Sequence, residues 1–341
     1  MSTALLSYLP SKLSNRPDHE LVGNQLYAKY LPQVLNELGY MVDYIDWQDV
    51  NFTPLKHYDL FMGHGGYNFT RYAPYADRKI YFSTGFYWKA FNELEAQRFN
   101  NLYERRGVRL QPDRRITTDE ESALQMADAI ITLGNEVTRA SYADFAPVYP
   151  IGGMTGQIGQ EIGQKDFKAG AKHFLFYSGD GSIHKGLDLL IEAFTDTDLH
   201  LHICQRLPLP FLGAYPELDD ANIHVHGHIH IHGREFKELV NLCDWVITAT
   251  CCEGCPSSVL ECMAHGLIPV ATANASLKMD GAAYITDNID DINYLCKDLS
   301  ELDITSIRAM ALIARNTARI DYSPENFSLR LKEAVAAICQ K

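Results

Sequence analysis

The stretch Cys252-Glu-Gly-Cys-Pro-Ser-Ser-Val-Leu-Glu261-Cys-Met-Ala-His-Gly-Leu-Ile-Pro-Val270 carries more structural information than any other in the chain. An apolar strand pattern, Trp245–Thr250, runs into it, and a helix opens at Ser257 or Ser258. A second strand, Ile268–Ala271, follows after Gly266. Strand, glycine-bearing loop, helix and strand make a βαβ unit of a parallel sheet. The amides that open its helix, at the positive end of the helix dipole, suit a phosphate. Glu253 lies in the loop and Glu261 one turn inside the helix, and carboxylates so placed can accept hydrogen bonds from sugar hydroxyls. Two plainer readings stay open at this point. Ser258-Val-Leu-Glu261 has the form of a capping box, and Cys252-Glu-Gly-Cys255 has metal or redox spacing.

Outward from this unit the same alternation recurs. Strand patterns at Ala4–Leu9, Met41–Ile45, Tyr58–Met62, Lys79–Ser83, Asp128–Leu133 and Pro147–Ile151 are interleaved with helical ones at Asp18–Leu38 and Lys89–Arg106. After a glycine-rich stretch come strands at His173–Ser178, Leu199–Cys204 and Asn222–His226. Helices are expected at Lys185–Phe194, Glu235–Leu242, Ser258–His265 and from Ile304 to the end. The pattern predicts an α/β chain of two facing Rossmann-like domains with a ligand cleft between them. Residues 1–150 form the first domain, 151–172 a linker and 173–320 the second; 321–341 is a final helix expected to return to the first domain.

Composition narrows the function. The chain has 341 residues, 46% hydrophobic and 21% charged, which is globular composition. A net charge of −13 argues against a nucleic-acid partner. The charge is uneven: 15 Lys and Arg against 18 Asp and Glu up to residue 150, and 15 against 25 beyond it. Neither a membrane-spanning run nor a basic leader is apparent, and the eight cysteines follow no secreted framework, so a reducing cytoplasm is expected.

A second segment, Phe176-Tyr-Ser-Gly179-Asp-Gly-Ser-Ile-His-Lys185-Gly-Leu-Asp188, repeats the strand–loop–helix theme and places Lys185 in the expected first helical turn. A bound phosphate would offset the dipole penalty on that lysine, while the plain alternative is a surface pair of Lys185 with Asp188.

Together these segments resemble the C-terminal lobe of family 4 glycosyltransferases of the GT-B fold. Lys185-Gly186, Glu192-Ala-Phe194, the E-x7-E pair Glu253 and Glu261, and Gly266-Leu-Ile-Pro-Val270 match that family's motifs, and Asn222-Ile-His-Val-His-Gly-His-Ile229 is similar to its strand and loop at the nucleotide base. The resemblance implies a retaining, metal-independent hexosyltransferase of polysaccharide biosynthesis, without a cofactor, whose donor is a nucleotide-diphosphate sugar (UDP, GDP or dTDP). It implies catalytic roles for Glu253 and Lys185. Donor contacts are implied at Glu261 (ribose), at Gly179, Gly254, Cys255, Pro256, Ser257 and Ser258 (diphosphate), at His228 and Ile229 (base) and at Arg206. One departure stands out: many members carry Arg directly after the loop glycine, and here that position is Asp180. An epimerase or hydrolase of the same fold, or a non-catalytic nucleotide-sugar binder, remains the alternative.

The first half resembles the family only in layout. Its acceptor candidates are His64, after strand Tyr58–Met62, and the group Trp88, Asn92, Glu95 and Arg98, where aromatic faces and polar groups suit a carbohydrate or lipid-linked acceptor. The basic run Arg98, Arg105, Arg106, Arg109, Arg114 and Arg115 suggests peripheral membrane association, with a solvated helix face as the alternative. The alternating histidines from His224 to His232 and the Asp196-Thr-Asp198 triplet have metal-binding form, but strand and turn readings explain both, so no metal site is expected.

Overall fold

A computed structural model describes residues 2–157, 159, 165–278, 280 and 283–340. Of the glycine-rich linker, residues 158 and 160–164, Gly163 included, lie outside the described residues. The strands are β1 (Ser2–Tyr8), β2 (Tyr40–Asp46), β3 (Tyr58–Gly63), β4 (Ala76–Ser83), β5 (Ala129–Thr132) and β6 (Val148–Pro150), then β7 (His173–Tyr177), β8 (His200–Cys204), β9 (Ile223–Val225), β10 (Trp245–Thr248), β11 (Ile268–Ala271) and β12 (Ala283–Tyr284). Among the described residues they form two six-stranded parallel sheets, ordered β2-β1-β3-β4-β5-β6 and β12-β11-β10-β7-β8-β9. Strand β12, two residues long, is too short to leave a periodic signal.

Each sheet is covered on both faces, as crossover helices require of parallel strands. Helix Asn24–Glu37 lays Leu31, Val34 and Leu35 on one face of the first sheet, and the closing helix Pro324–Cys339 adds Phe327, Leu331 and Val335 to the same core. Phe61, Phe69 and Tyr81 fill the opposite face. In the second lobe Phe174, Leu190 and Trp245 centre one core, and Leu175, Phe236 and Leu260 the other. No helix among the described residues is long and apolar enough to cross a membrane.

Two helices begin later than the pattern suggests. The segment before Asn24 forms a separate 3-10 turn, Asp18–Glu20, because Gly23 at φ +49 breaks the run. Helix Leu187–Phe194 begins after Lys185, since Gly186 takes φ +77 and lies so close to Ala249 O that a Cβ would come within 2.3 Å of it. Helix Trp88–Arg106 leaves the first sheet and buries Leu102 in a core of the second lobe. It ties the two lobes into one body.

Candidate active site

The β10 loop fixes the first part of the site. Glu253 N–H donates to Asn274 O (2.8 Å) and Cys255 N–H to Ala275 O (3.2 Å), while Cys255 itself takes φ +66, a left-handed turn rare for a non-glycine residue. Helix Ser257–Ala264 then opens on Pro256 with no side-chain cap, so the capping box of Ser258 and Glu261 does not form. The first-turn amides of Ser257 and Ser258 have no intrahelical acceptor.

Lys185 comes to this loop from β7. It stands before the helix, not in its first turn as the sequence suggests, and its ammonium donates to Glu253 Oε1 with only 8% of the residue exposed. Burial opposes ionisation of Glu253, but Lys185, His184 and Arg114 together outweigh it and hold the carboxyl below its usual range. Asp188 is not the partner of Lys185: fully buried, it accepts from Arg105 at 2.7 Å.

Glu253 lines an interlobe cavity of about 250 Å³, and Lys185 stands behind it, outside the lining. The C-terminal side presents Glu253, Gly254, Cys255, Pro256 and Ser257; the N-terminal side presents His64, Gly85, Phe86 and Arg114. At its narrowest point the lobes meet backbone to backbone, where a Cβ on Gly254 would fall 2.1 Å from Thr84 O. His64 donates from Nδ1 to Phe82 O (3.0 Å), and burial lowers its pKa, so the ring is neutral with a lone pair on Nε2.

Other expected site residues lie elsewhere. Glu261 is 6% exposed and lies against the backbone of Gly23, outside the cavity lining; burial, partly opposed by that backbone N–H, pushes its carboxyl up to about 8. Ser258 is half-buried beside the lining. Gly179 O accepts from the Gln205 amide, Arg206 and His228 are exposed, and Ile229 is buried with its carbonyl bonded by Tyr177 Oη (3.2 Å); none of these lines the cavity.

The acceptor group needs correction. Asn92 exchanges two 2.8 Å hydrogen bonds with Ile116, Glu95 accepts from Arg114 N–H (3.1 Å), and Arg98 donates to Ala249 O and Asp287, each at 2.8 Å. Trp88 packs among Tyr87 and its neighbours. Arg98 thus bridges the lobes, while Asn92 and Glu95 hold the Arg114–Ile116 loop and Trp88 packs in the first lobe. Part of the basic run is engaged: Arg105 pairs with Asp188 and Glu192 and Arg106 with Glu217, while Arg109, stacked on Tyr103, and Arg115 stay exposed. Arg114, read from sequence only as part of that run, is the site cation that pattern reasoning missed. Its stem crosses Gly181, where a Cβ would meet Arg114 Cγ at 2.7 Å, so it fills the space over the loop that carries Asp180.

The metal-like motifs also separate. Cys255 Sγ lies beside Gly153 while Cys252 Sγ faces Cys251 and Phe91, so the Cys252/Cys255 spacing holds no shared ion. Asp198 pairs with Lys172, and Asp196 turns at φ +59.

Comparison with known proteins agrees with this architecture. Residues 171–302 match the sequence model of the family described as Glycosyl transferases group 1. No curated protein matches the chain. Among solved structures, sucrose-phosphate synthase from Thermosynechococcus elongatus superposes with a TM-score of 0.66 at 13% identity, covering 99% of each chain. HepE of Anabaena, in complex with UDP and glucose, gives 0.60 at 12% identity over 99% of this chain and 100% of its own. TarM gives 0.57 at 15% identity, over 82% of this chain and 54% of its own. With two facing parallel sheets of this order the chain has the GT-B fold, and its second lobe is where the sequence matches the group 1 glycosyltransferase model.

Proposed function

We propose that this protein transfers a hexose from a nucleotide-diphosphate sugar to a hydroxyl of a carbohydrate or lipid-linked acceptor, with retention of the anomeric configuration. The observation that carries the reading is Glu253, which lines the interlobe cavity beside Arg114 and an uncapped helix start and is paired from behind with Lys185. Two cations and free amides suit a diphosphate, and an ionised carboxylate beside them suits sugar hydroxyls. HepE, with the same fold, was crystallised with UDP-glucose.

In this reading the glycosidic bond between the anomeric carbon and the diphosphate oxygen breaks, and Lys185 and Arg114 stabilise the charge left on the phosphate. The acceptor oxygen attacks the same face of the oxocarbenium-like sugar, and its proton passes to the departing phosphate oxygen. Glu253 orients the sugar ring, and Glu261 receives the ribose once the Gly23 segment yields. Two side-chain cations and the helix dipole supply the charge that a divalent cation would otherwise bring to the diphosphate. The cavity is smaller than the usual range of about 300–1,000 Å³ for ligand sites, so donor entry requires the β4 loop to withdraw from Gly254. The cysteines are all free, which fits a reducing, cytoplasmic setting.

The test is incubation with a panel of nucleotide sugars, with and without glycan acceptors, in buffers with and without added magnesium or manganese. Glycosylated product only with acceptor, carrying the donor's anomeric configuration by NMR and unaffected by the added cation, is the expected outcome. Sugar release or isomerisation without acceptor would assign an epimerase or hydrolase instead, and tight binding without turnover a binding protein.

A further inference from the structure

Immediately behind the Lys185–Glu253 pair lies a cluster that the transfer reaction does not use. His184, Cys251 and Cys252 are all buried, and their ligand atoms lie within 4.8 Å of one another. Cys251 Sγ is 3.4 Å from His184 Nδ1 and 3.9 Å from Cys252 Sγ. Metal–ligand bonds of about 2.3 Å to sulfur and 2.0–2.1 Å to nitrogen give tetrahedral edges of roughly 3.8 Å (S to S) and 3.6 Å (S to N). The observed separations therefore span two edges of a zinc tetrahedron.

The histidine is set up for this role. Its Nε2 is 2.8 Å from Cys252 O, an atom that can only accept, so Nε2 donates there and Nδ1 is the nitrogen directed at the thiols, open to a metal once the proton it shares with Cys251 is released. The ring is clamped in place by stacking on Phe91 at 4.7 Å. On the Nδ1 side stands a buried carboxylate from the other lobe, Glu95, with Oε1 3.6 Å away. Two thiols and one imidazole nitrogen are a donor set that suits zinc rather than magnesium or calcium.

We propose that His184, Cys251 and Cys252 bind a zinc ion, with a non-protein ligand such as water at its fourth position. Binding releases both thiol protons to solvent and forms two sulfur–zinc bonds without any redox change. The position gives the ion a purpose. His184 directly precedes Lys185 and Cys252 directly precedes Glu253, so one ion crosslinks the two loops that carry the cavity's ion pair.

Full-length protein without a histidine tag, purified anaerobically, is analysed for metal by plasma mass spectrometry, then stripped and titrated with cobalt(II). Stoichiometric zinc is expected, as is a cobalt spectrum with near-ultraviolet thiolate charge-transfer bands and the strong visible bands of tetrahedral coordination. Cys251→Ser and Cys252→Ser should each weaken the charge-transfer band, and the double variant should abolish it. Three results would overturn the assignment: no stoichiometric metal in the parent protein, cobalt bound without a thiolate band (which would place it on the imidazoles of β7–β9), or a parent mass lacking both thiol hydrogens, the mark of a Cys251–Cys252 disulfide. Metal content is read without turnover, so this result stands apart from the outcome of the sugar-transfer assay.

Discussion

At Lys185 the demand on a single side chain is largest. Its ammonium is buried against Glu253, and in the proposed reaction it stabilises charge developing on the donor phosphate. Removing one such preorganised group typically costs about 10²–10³-fold in rate. Lys185→Ala should therefore lower kcat/KM by about that factor with the circular-dichroism spectrum unchanged. Arg114 shares the load across the cavity. Arg114→Gln should weaken binding of a nucleoside diphosphate more than of a nucleoside monophosphate, measured by calorimetry; equal weakening would place Arg114 off the diphosphate. Glu261 is a different kind of residue. Its carboxyl is raised to about 8 from an ordinary 4.5, chiefly by burial. As pH rises from 4.5 towards 8, the unfolded chain gives up this proton while the folded chain keeps it, so stability falls over that window. Glu261→Gln lacks the titration, and its melting temperature should gain on the parent's as pH increases from 5 to 8.

Among the elements, β7, β8 and β9 carry an unusual ladder. His173 Nδ1 lies 2.9 Å from His202 Nε2, His202 Nδ1 3.0 Å from His226 Nε2, and His200 Nδ1 3.0 Å from His224 Nε2. Each neutral ring can donate at one nitrogen and accept at the other; protonating one ring sets N–H against N–H. Burial, and then the neighbouring rings, lower His173 to about 4 and His202 to about 3 from an ordinary 6.5. A histidine depressed in the fold contributes stability above its unfolded pKa and loses it as pH falls. Thermal stability should thus drop between pH 6.5 and 3 with net proton uptake on unfolding, and His202→Gln should flatten that slope in a melting series. The alternating histidines are legible in the sequence, but their ladder needs the parallel register of β8 with β7 and β9, which no local pattern specifies.

Across the whole molecule the lobes are joined through helix Trp88–Arg106. Asp188 is fully buried, one of its oxygens has no hydrogen-bond partner, and Arg105 reaches the other at 2.7 Å. Truncating one member of a buried pair leaves the other charge unpaired, at a cost of about 3–5 kcal/mol. Arg105→Ala should lower the calorimetric melting temperature accordingly, and the double variant Arg105→Leu/Asp188→Asn should recover most of the loss. A single variant that melts at the parent temperature would show that the pair carries no net stability.

Periodicity alone determined most of the strands and the alternation of strand and helix, because burial on both faces of a parallel sheet writes apolar runs into the chain itself. The donor-side motif was equally legible: Lys185, Glu253 and the helix start at Ser257 sit on local strand–loop–helix units whose geometry depends on neighbouring residues. Tertiary structure decided the rest. Arg98, Arg105 and Arg114 look alike as a basic run, yet one braces the seam, one neutralises Asp188 and one enters the cavity, because each meets a different part of the second lobe. Glu95 and Asn92, read as an acceptor surface, instead bond the backbone of the Arg114–Ile116 loop. A side chain's type is local, but its partner is chosen by elements up to about 190 residues away, as in the 189-residue separation of Arg98 and Asp287, and only packing brings them together.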